Sequence, residues 1–379
     1  MEARRAGTCN DGHREDPRRR DRGRVNAPRV RPADRRGDFG CDAVRRAGAA
    51  VCLTIAFCAA PPVAAQPAAG RAPVFGFVTA EEARPILGAR DDFVRAMSPL
   101  ERSARLRTAE PVDETRLVQY REAAARDWAP AEQQRLAPIL QRLADFVAGI
   151  RWKHPDRILL AKVDDTLEDG SPHTRANAIV LPAKFLAQPA GALAHLMAHE
   201  FFHVLTRDNA ELREKLYATI GFRRCDTVTI PEAMTRLRIT NPDAVENRHT
   251  IAVRSGGESV EMLPWIRFAA DGVDPRNGLM KHLVVAWLFV DRTAGDCRAR
   301  GGPAATGVDP TTLDGLAEQV GRNTGYLFHP EEILAENFAM LFLASIAGST
   351  RGAPSPEVLD AVRKILFDDP PPAAGSARP

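Results

Sequence analysis

Residues 193–205 read Leu193-Ala-His-Leu-Met-Ala-His-Glu-Phe-Phe-His-Val-Leu205 and contain the pattern H-E-x-x-H. No proline or glycine interrupts residues 192–208, and most positions between the polar ones are apolar, so the pattern predicts a buried helix. In a helix, His199 and His203 lie at i and i+4, which places their imidazoles on one face. Two imidazoles at this spacing can share one metal ion, and Glu200 projects beside them.

These side chains suit a catalytic zinc site. Such a site commonly holds zinc through three protein ligands and keeps a fourth position for water, whose proton a nearby carboxylate can take. The chain has nine histidines, and a chance match to this pattern is expected in roughly one such sequence in a hundred. We therefore interpret His199 and His203 as metal ligands and Glu200 as a general base. His195, one turn earlier, is predicted to pack beside the site rather than to bind the metal.

The composition is that of a globular protein with a basic leader. The chain has 379 residues, of which 44% are hydrophobic, enough to bury a sizeable core. The net charge is +3, but residues 1–48 contain fourteen arginines and eight acidic residues, so the remainder carries a net charge of −3. Because this mildly acidic body offers no basic surface for a phosphate backbone, we predict no nucleic-acid partner.

The first 65 residues have the order of a secretory leader. Residues 1–43 are rich in arginine and poor in apolar residues, and we expect them to be disordered. Arg45 and Arg46 then precede an uncharged apolar run at 47–60, and small residues follow as far as Ala65, which is typical of a signal peptide cleaved near Ala65. The apolar run is too short to span a bilayer comfortably. The sequence therefore predicts a secreted or periplasmic protein with no stable membrane span after cleavage.

Cysteine usage agrees with export. Four of the six cysteines lie in the leader, and Cys225 and Cys297 remain after cleavage. In an oxidising compartment this pair can form a disulfide, which we predict; two buried free thiols are the alternative.

The rest of the chain divides by composition into five segments. We expect a helical region at 66–150, a core at 151–207 that ends in the H-E-x-x-H helix, a β-rich insertion at 208–325, helices at 326–367 and an unstructured tail at 368–379. Strand patterns occur at 157–163, 175–181, 236–240, 250–254 and 259–263, and Ser255-Gly-Gly257 predicts a hairpin between the last two.

A strand shortly before the metal helix can have a role in substrate binding. If it lies at a sheet edge, its free main-chain groups can pair with an extended peptide. We predict such a role for Asn177, Ala178, Ile179 and Val180, although a purely structural strand would have the same sequence.

The third metal ligand is predicted to come from the later helix that begins near Pro330. Proline suits the first helical position, and Glu331 beside it is explained as an acid at the positive end of the helix dipole. Glu332 and Glu336 then lie at i and i+4 on one face. Because Glu336 falls in an otherwise apolar stretch, its carboxylate needs a partner, and the N–H of a metal-bound imidazole would serve.

In these residues the chain resembles the gluzincin metallopeptidases, the thermolysin-like group that binds zinc through H-E-x-x-H and a downstream glutamate. The resemblance implies that His199, His203 and Glu332 bind one Zn²⁺ and that Glu200 is the general base. It also implies that Glu336 orients a zinc-bound histidine. Tyr326 and His329 are candidates for the residue that stabilises the transition state.

The resemblance covers residues 157–204 and 326–342, less than a quarter of the chain. It implies an α+β fold with a zincin-like core, in which the metal-binding helix packs under a small mixed sheet, flanked by N-terminal helices and the β-rich insertion. More than a hundred residues separate His203 from Glu332. Glu331, Glu336 and an acidic residue of the insertion therefore stay open as alternatives for the third ligand.

The implied function is that of an exported zinc metallopeptidase acting on peptide or protein substrates. Two other functions stay open. The same site could hydrolyse peptide cross-links of a cell wall, or the chain could be a non-catalytic binding module derived from a zincin, in which zinc is structural.

Overall fold

The computed structural model describes residues 71–301, 306–349 and 352–368, which belong to one unit spanning 39–379. The predicted leader and signal peptide at 1–65, and the predicted tail beyond residue 368, lie outside the described residues. The described residues form a mixed α+β fold with twelve α-helices and three sheets, so the prediction of an α+β class is confirmed at that level. Among them, none of the helices combines the length and the apolar character needed to cross a membrane.

The N-terminal region is mainly helical, and it also supplies two strands. Its helices are α1 (Ala80–Leu87), α2 (Asp92–Ala96), α3 (Pro99–Arg105), α4 (Glu114–Ala123) and α5 (Pro130–Val147). Its strands are β1 (Val74–Phe77) and β2 (Ala125–Arg126). Several of these helices start at a side-chain cap; the Thr79 hydroxyl, for example, accepts the amide of Glu82 at the start of α1. The two strands join the sheet described next, so this region is part of the core architecture.

The first sheet is mixed and lies before the metal helix in the chain. Its remaining strands are β3 (Arg157–Val163), β4 (His173–Arg175) and β5 (Ala178–Pro182). The strand order is β1-β3-β5-β4, with β2 also pairing to β3. β1, β3 and β5 are parallel, whereas β4 runs antiparallel to β5. Buried on both faces, β5 is the continuous apolar strand expected between layers of a parallel sheet.

The strand predicted at 175–181 is in fact two strands. Ala176 has a φ of 49°, in the left-handed region, and there the chain reverses between β4 and β5. Alanine seldom adopts this conformation, because its Cβ crowds the backbone, so the sequence carries no signal for the turn.

The segment at 208–325 is rich in strands, and it also contains helices. Its helices are α7 (Ala210–Thr219), α8 (Glu232–Thr235), α9 (Leu279–His282) and α10 (Leu316–Val320). Its strands are β6 (Phe222–Arg224), β7 (Val228–Thr229), β8 (His249–Ser255), β9 (Glu258–Leu263), β10 (Ile266–Phe268), β11 (Leu283–Val285), β12 (Leu288–Thr293) and β13 (Asp296–Ala299). The hairpin predicted at 250–263 is confirmed, with Gly256 and Gly257 both at positive φ between β8 and β9. The strand predicted at 236–240 is reduced to one antiparallel β-bridge, between Arg238 and Arg267, because α8 ends just before it and the chain turns at 236–237.

The six-stranded sheet of this segment carries the predicted disulfide. Its order is β6-β8-β9-β12-β13-β7, and the terminal strands β6 and β7 are consecutive in the chain. A disulfide joins Cys225, which follows β6, to Cys297 of β13, so the predicted pairing is confirmed.

The main hydrophobic core forms around two long helices, α6 (Ala190–Arg207) and α11 (Pro330–Ala347). α6 carries the H-E-x-x-H residues. α11 starts with Pro330 at its first position and ends before Gly348, whose φ of 71° suits a glycine C-cap. α5, α7 and the final helix α12 (Pro356–Arg363) pack around this pair. Because α6 and α11 pack directly on each other, any carboxylate on α11 that faces α6 lies close to its histidines.

Candidate metal centre

The two histidines of α6 face the same side, as the spacing predicts. Their ring centroids are 4.8 Å apart, and both residues are buried. Residues 193–206 of α6 are almost all buried, and the rings of Phe201 and Phe202 both pack against Phe338 of α11. The apolar side chains therefore fix the helix rotation that points His199 and His203 towards α11.

Glu332 on α11 meets these histidines with one carboxylate oxygen. Its Oε2 lies 3.2 Å from His199 Nε2 and 3.6 Å from His203 Nε2. Two ligand atoms bonded to one tetrahedral zinc at 2.0–2.1 Å would lie about 3.4 Å apart. The spacing and the donor types, two imidazole nitrogens and a carboxylate oxygen, therefore fit a zinc ion held by His199, His203 and Glu332.

The other ring nitrogen of each histidine is held by a second carboxylate. Glu336 Oε1 lies 2.9 Å from His199 Nδ1, and Glu331 Oε1 lies 3.0 Å from His203 Nδ1. Because a carboxylate can only accept a hydrogen bond, each Nδ1 carries the hydrogen. Each Nε2 therefore keeps its lone pair for a metal ion. The structure therefore places Glu336 where the resemblance implied.

The interpretation of Glu331 as a simple helix cap is wrong. Its side chain is 2% exposed, and besides His203 it accepts a hydrogen bond from the Tyr217 hydroxyl at 2.6 Å. The Thr206 hydroxyl lies 2.5 Å from the same carboxylate. Three donors from α6 and α7 converge on Glu331, so it works as the partner of His203 and not only as an acid in the first turn of α11.

The buried charges of the centre support one another. Burial opposes protonation of His199, but its hydrogen bonds to Glu332 and Glu336 outweigh burial and raise the pKa of His199 well above its usual value. Burial likewise opposes a charge on Glu332, yet His203 and His199 hold the pKa of Glu332 down to about 2. Without an ion, protons on the imidazoles thus balance the carboxylates, and a metal would take over that balancing role.

Glu200 has the surroundings expected of a proton acceptor. Burial, followed by the charge of Asp243, raises the pKa of Glu200 to about 8. Its Oε2 is buried without a hydrogen-bond partner. A buried carboxylate oxygen left free beside a candidate metal site is available to a water or a substrate group, because no protein donor competes for it.

The two candidates for stabilising the transition state lie in different surroundings. The Tyr326 ring centroid is 6.3 Å from that of His199, and burial and then the charge of Glu332 raise the pKa of Tyr326 well above its usual value, so its hydroxyl stays a donor. His329 caps α11 instead, with Nδ1 accepting the amide of Glu331. His195 Nε2 lies 3.7 Å from Glu336 Oε2, beside the donor set rather than in it.

The prediction that Asn177, Ala178, Ile179 and Val180 form a substrate-binding edge is wrong. β5 pairs with β3 on one side and with β4 on the other, so both of its edges are occupied there. The edge strand is β4. Even at this edge, the Thr174 amide already donates to Asp243 at 2.8 Å.

Besides Tyr217, two residues of the insertion reach the centre, and no sequence pattern predicts their positions. The Asn241 side-chain amide donates to Glu332 Oε1 at 2.6 Å. Asp243 has a carboxylate oxygen within 4.8 Å of ligand-type atoms of both Glu200 and His203. The Asn241-Pro242 pair is a recognisable turn signal, but nothing local shows where the turn packs.

Comparison of the chain with protein-family models, with curated proteins and with solved structures finds no match in any of the three. The residues and geometry of the centre itself are therefore what indicate its chemistry.

Proposed function

We propose that this protein is an exported zinc metallopeptidase in which His199, His203 and Glu332 hold one zinc ion. The observation that carries the proposal is the convergence of three donor atoms within 4.8 Å of one another, with both Nδ1 atoms turned away onto carboxylates. A merely structural cluster of histidines and acids has no need for a further buried carboxylate without a partner, which Glu200 provides.

A bound zinc ion would supply a Lewis acid and a water of lowered pKa. Glu200 accepts the proton of the attacking water through its free Oε2 and then delivers it to the leaving nitrogen of the peptide. The Tyr326 hydroxyl, kept protonated by burial, donates to the oxygen of the carbonyl under attack. Glu336 and Glu331 keep the imidazole rings oriented throughout.

The architecture is compatible with a zincin-like core, which we include in the proposal. A mixed sheet precedes the helix that carries the histidines, and a second long helix supplies the glutamate. The Cys225–Cys297 disulfide supports export, because such bonds persist mainly in oxidising compartments.

The proposal is tested by measuring zinc content and cleavage of quenched fluorescent peptides and of an unfolded protein by the purified protein and by Glu200→Gln. We expect one zinc per chain in both proteins. The variant should lose activity by about 10²–10⁴-fold, the usual contribution of a general base.

Glu211→Gln is the matched control, since Glu211 lies on α7, where its side chain is 52% exposed and pairs with Lys215. This control should retain wild-type activity. Full activity of a zinc-loaded Glu200→Gln variant, or a wild-type protein that binds no zinc, would exclude the mechanism.

A further inference from the structure

A tight turn from the insertion enters the candidate metal centre. Its residues are Thr240-Asn-Pro-Asp243, and they follow α8 by only a few residues. Thr240 is buried, and Asn241 and Asp243 are half-buried. This turn lies more than thirty residues from α6 and almost ninety from Glu332 in the sequence, so its contacts with the centre are made entirely by the tertiary fold.

Asn241 contacts the one oxygen of Glu332 that does not face the histidines. Its Nδ2 donates to Oε1 at 2.6 Å, while Oε2 faces the two Nε2 atoms. A carboxylate can bind a metal through one oxygen or through both. With Oε1 engaged by an amide, only Oε2 remains free, and Glu332 is limited to a single ligand atom.

The orientation of the Asn241 amide is fixed by the turn itself. The backbone N–H of Asp243 donates to Asn241 Oδ1 at 2.9 Å, as in an Asx turn. The oxygen of the amide therefore points to the backbone, and the NH₂ group must point to Glu332. No rotation of the amide is needed to make the contact.

Both ends of the turn are anchored. The amide and the hydroxyl of Thr240 donate to the two oxygens of buried Glu101 at 2.8 and 3.0 Å. Asp243 accepts from the amide and the hydroxyl of Thr174 and lies 3.5 Å from Arg207. Because the turn is held from two sides, Asn241 is preorganised against Glu332 and loses little entropy when a metal binds.

We propose that Asn241 is a positioning residue of the metal centre, which holds Glu332 as a one-oxygen ligand and so keeps a coordination position open for water. The proposal rests on the proposed zinc site, but it does not depend on which substrate is cleaved. Outer hydrogen bonds of this kind typically change metal affinity or activity by 10–100-fold when they are removed.

The test compares zinc affinity, measured by competition with a chromogenic chelator, for the wild type, Asn241→Ala and Asn241→Ser. Serine keeps an oxygen that can accept a hydrogen bond from the Asp243 amide, but its side chain is too short to reach Glu332. Asn241→Ser therefore removes the contact with Glu332 while it preserves the turn. We expect the zinc dissociation constant to rise about 10–100-fold in both variants. In the cobalt-substituted protein, the visible absorption should weaken, because a second carboxylate oxygen raises the coordination number.

Asn247→Ala is the matched control. Asn247 lies in the same loop, and its side-chain amide donates to the Pro264 carbonyl at 2.6 Å instead of to the centre. Its zinc affinity and cobalt spectrum should equal those of the wild type. Melting of the metal-free proteins reports any general loss of stability separately.

Wild-type zinc affinity and an unchanged cobalt spectrum in folded Asn241→Ala and Asn241→Ser would overturn the proposal. A wild-type protein that binds zinc but cleaves no peptide would refute the proposed function alone, since the effect of Asn241 on zinc affinity would still be measurable. A wild-type protein that takes up no zinc would refute both.

Discussion

Replacing Glu331 by glutamine should weaken metal binding and lower the free energy of unfolding, although Glu331 occupies an ordinary position in the first turn of α11. Its buried carboxylate meets His203, Tyr217 and Thr206. Hydrogen bonds to charged groups contribute about 1.5–3 kcal/mol each, and neutral ones about 0.5–1.5 kcal/mol. Exchanging three of the former for the latter should lower the free energy of unfolding by about 3 kcal/mol, or about 1 kcal/mol per bond.

The same substitution should weaken zinc binding by about 10–100-fold, because His203 loses the acceptor that fixes its tautomer and ring orientation. If Glu331 acted only through the helix dipole, the loss of stability would be about 0.3–1 kcal/mol and zinc affinity would not change. The two interpretations thus predict losses of unfolding free energy that differ several-fold and zinc affinities that differ at least tenfold.

The chain contains a close control for this experiment. Glu357 follows Pro356 at the start of α12, just as Glu331 follows Pro330 at the start of α11, but Glu357 is exposed. Urea unfolding of the metal-free proteins and chelator competition should be run on Glu331→Gln and Glu357→Gln in parallel. Equal losses of stability in the two variants, with wild-type zinc affinity in both, would refute the reasoning.

Two further substitutions test the surroundings of the centre. Tyr326→Phe should lower kcat by about 10²–10³-fold while zinc affinity stays within twofold, because the donor to the developing oxyanion is lost but no ligand is touched; an unchanged kcat in peptide-cleavage assays would remove Tyr326 from the mechanism. Burial lowers the pKa of His329 to about 3, so stability that is complete above pH 6.5 should be lost as the pH falls from there towards 3. Asparagine in His329→Asn can still accept the capping hydrogen bond, but it does not titrate. Between pH 7 and pH 5, urea unfolding should therefore show that the free energy of unfolding falls by about 2 kcal/mol more in the wild type than in the variant. Equal losses in the two proteins would contradict a lowered pKa for His329.

The ligand-type residues were predictable from sequence because their spacing is local. His199 and His203 share a helical face, and so do Glu332 and Glu336, through i and i+4 relations that any helix imposes. The spacing alone left open whether α6 and α11 meet and which acidic residue is the third ligand. Both helices are almost entirely apolar in sequence, which predicts that both are buried. Two buried helices that share one core are expected to pack against each other.

The role of Glu331 was not predictable from its own surroundings. Glu331 and Glu357 share the Pro-Glu context, yet one is buried under three donors and the other is exposed. The difference comes from Tyr217 on α7 and from the packing of α6, and both are set by the tertiary structure. The prediction that residues 177–180 lie at a sheet edge was wrong for a similar reason. The chain reversal at Ala176, which creates β4, has no sequence signal.

The insertion is part of the centre rather than a separate appendage. Tyr217 reaches Glu331, Asn241 reaches Glu332 and Asp243 approaches Glu200, and all three residues lie between the two ligand-bearing helices in the chain. Tyr217 and Asn241 each donate a hydrogen bond to a carboxylate that would be costly to bury without a partner, whereas the charge of Asp243 raises the pKa of Glu200. The long separation between His203 and Glu332, which made the third ligand uncertain from sequence, therefore spans residues that stabilise Glu332 and its neighbours in place. A chain with a short connection there would need other donors for the same glutamates.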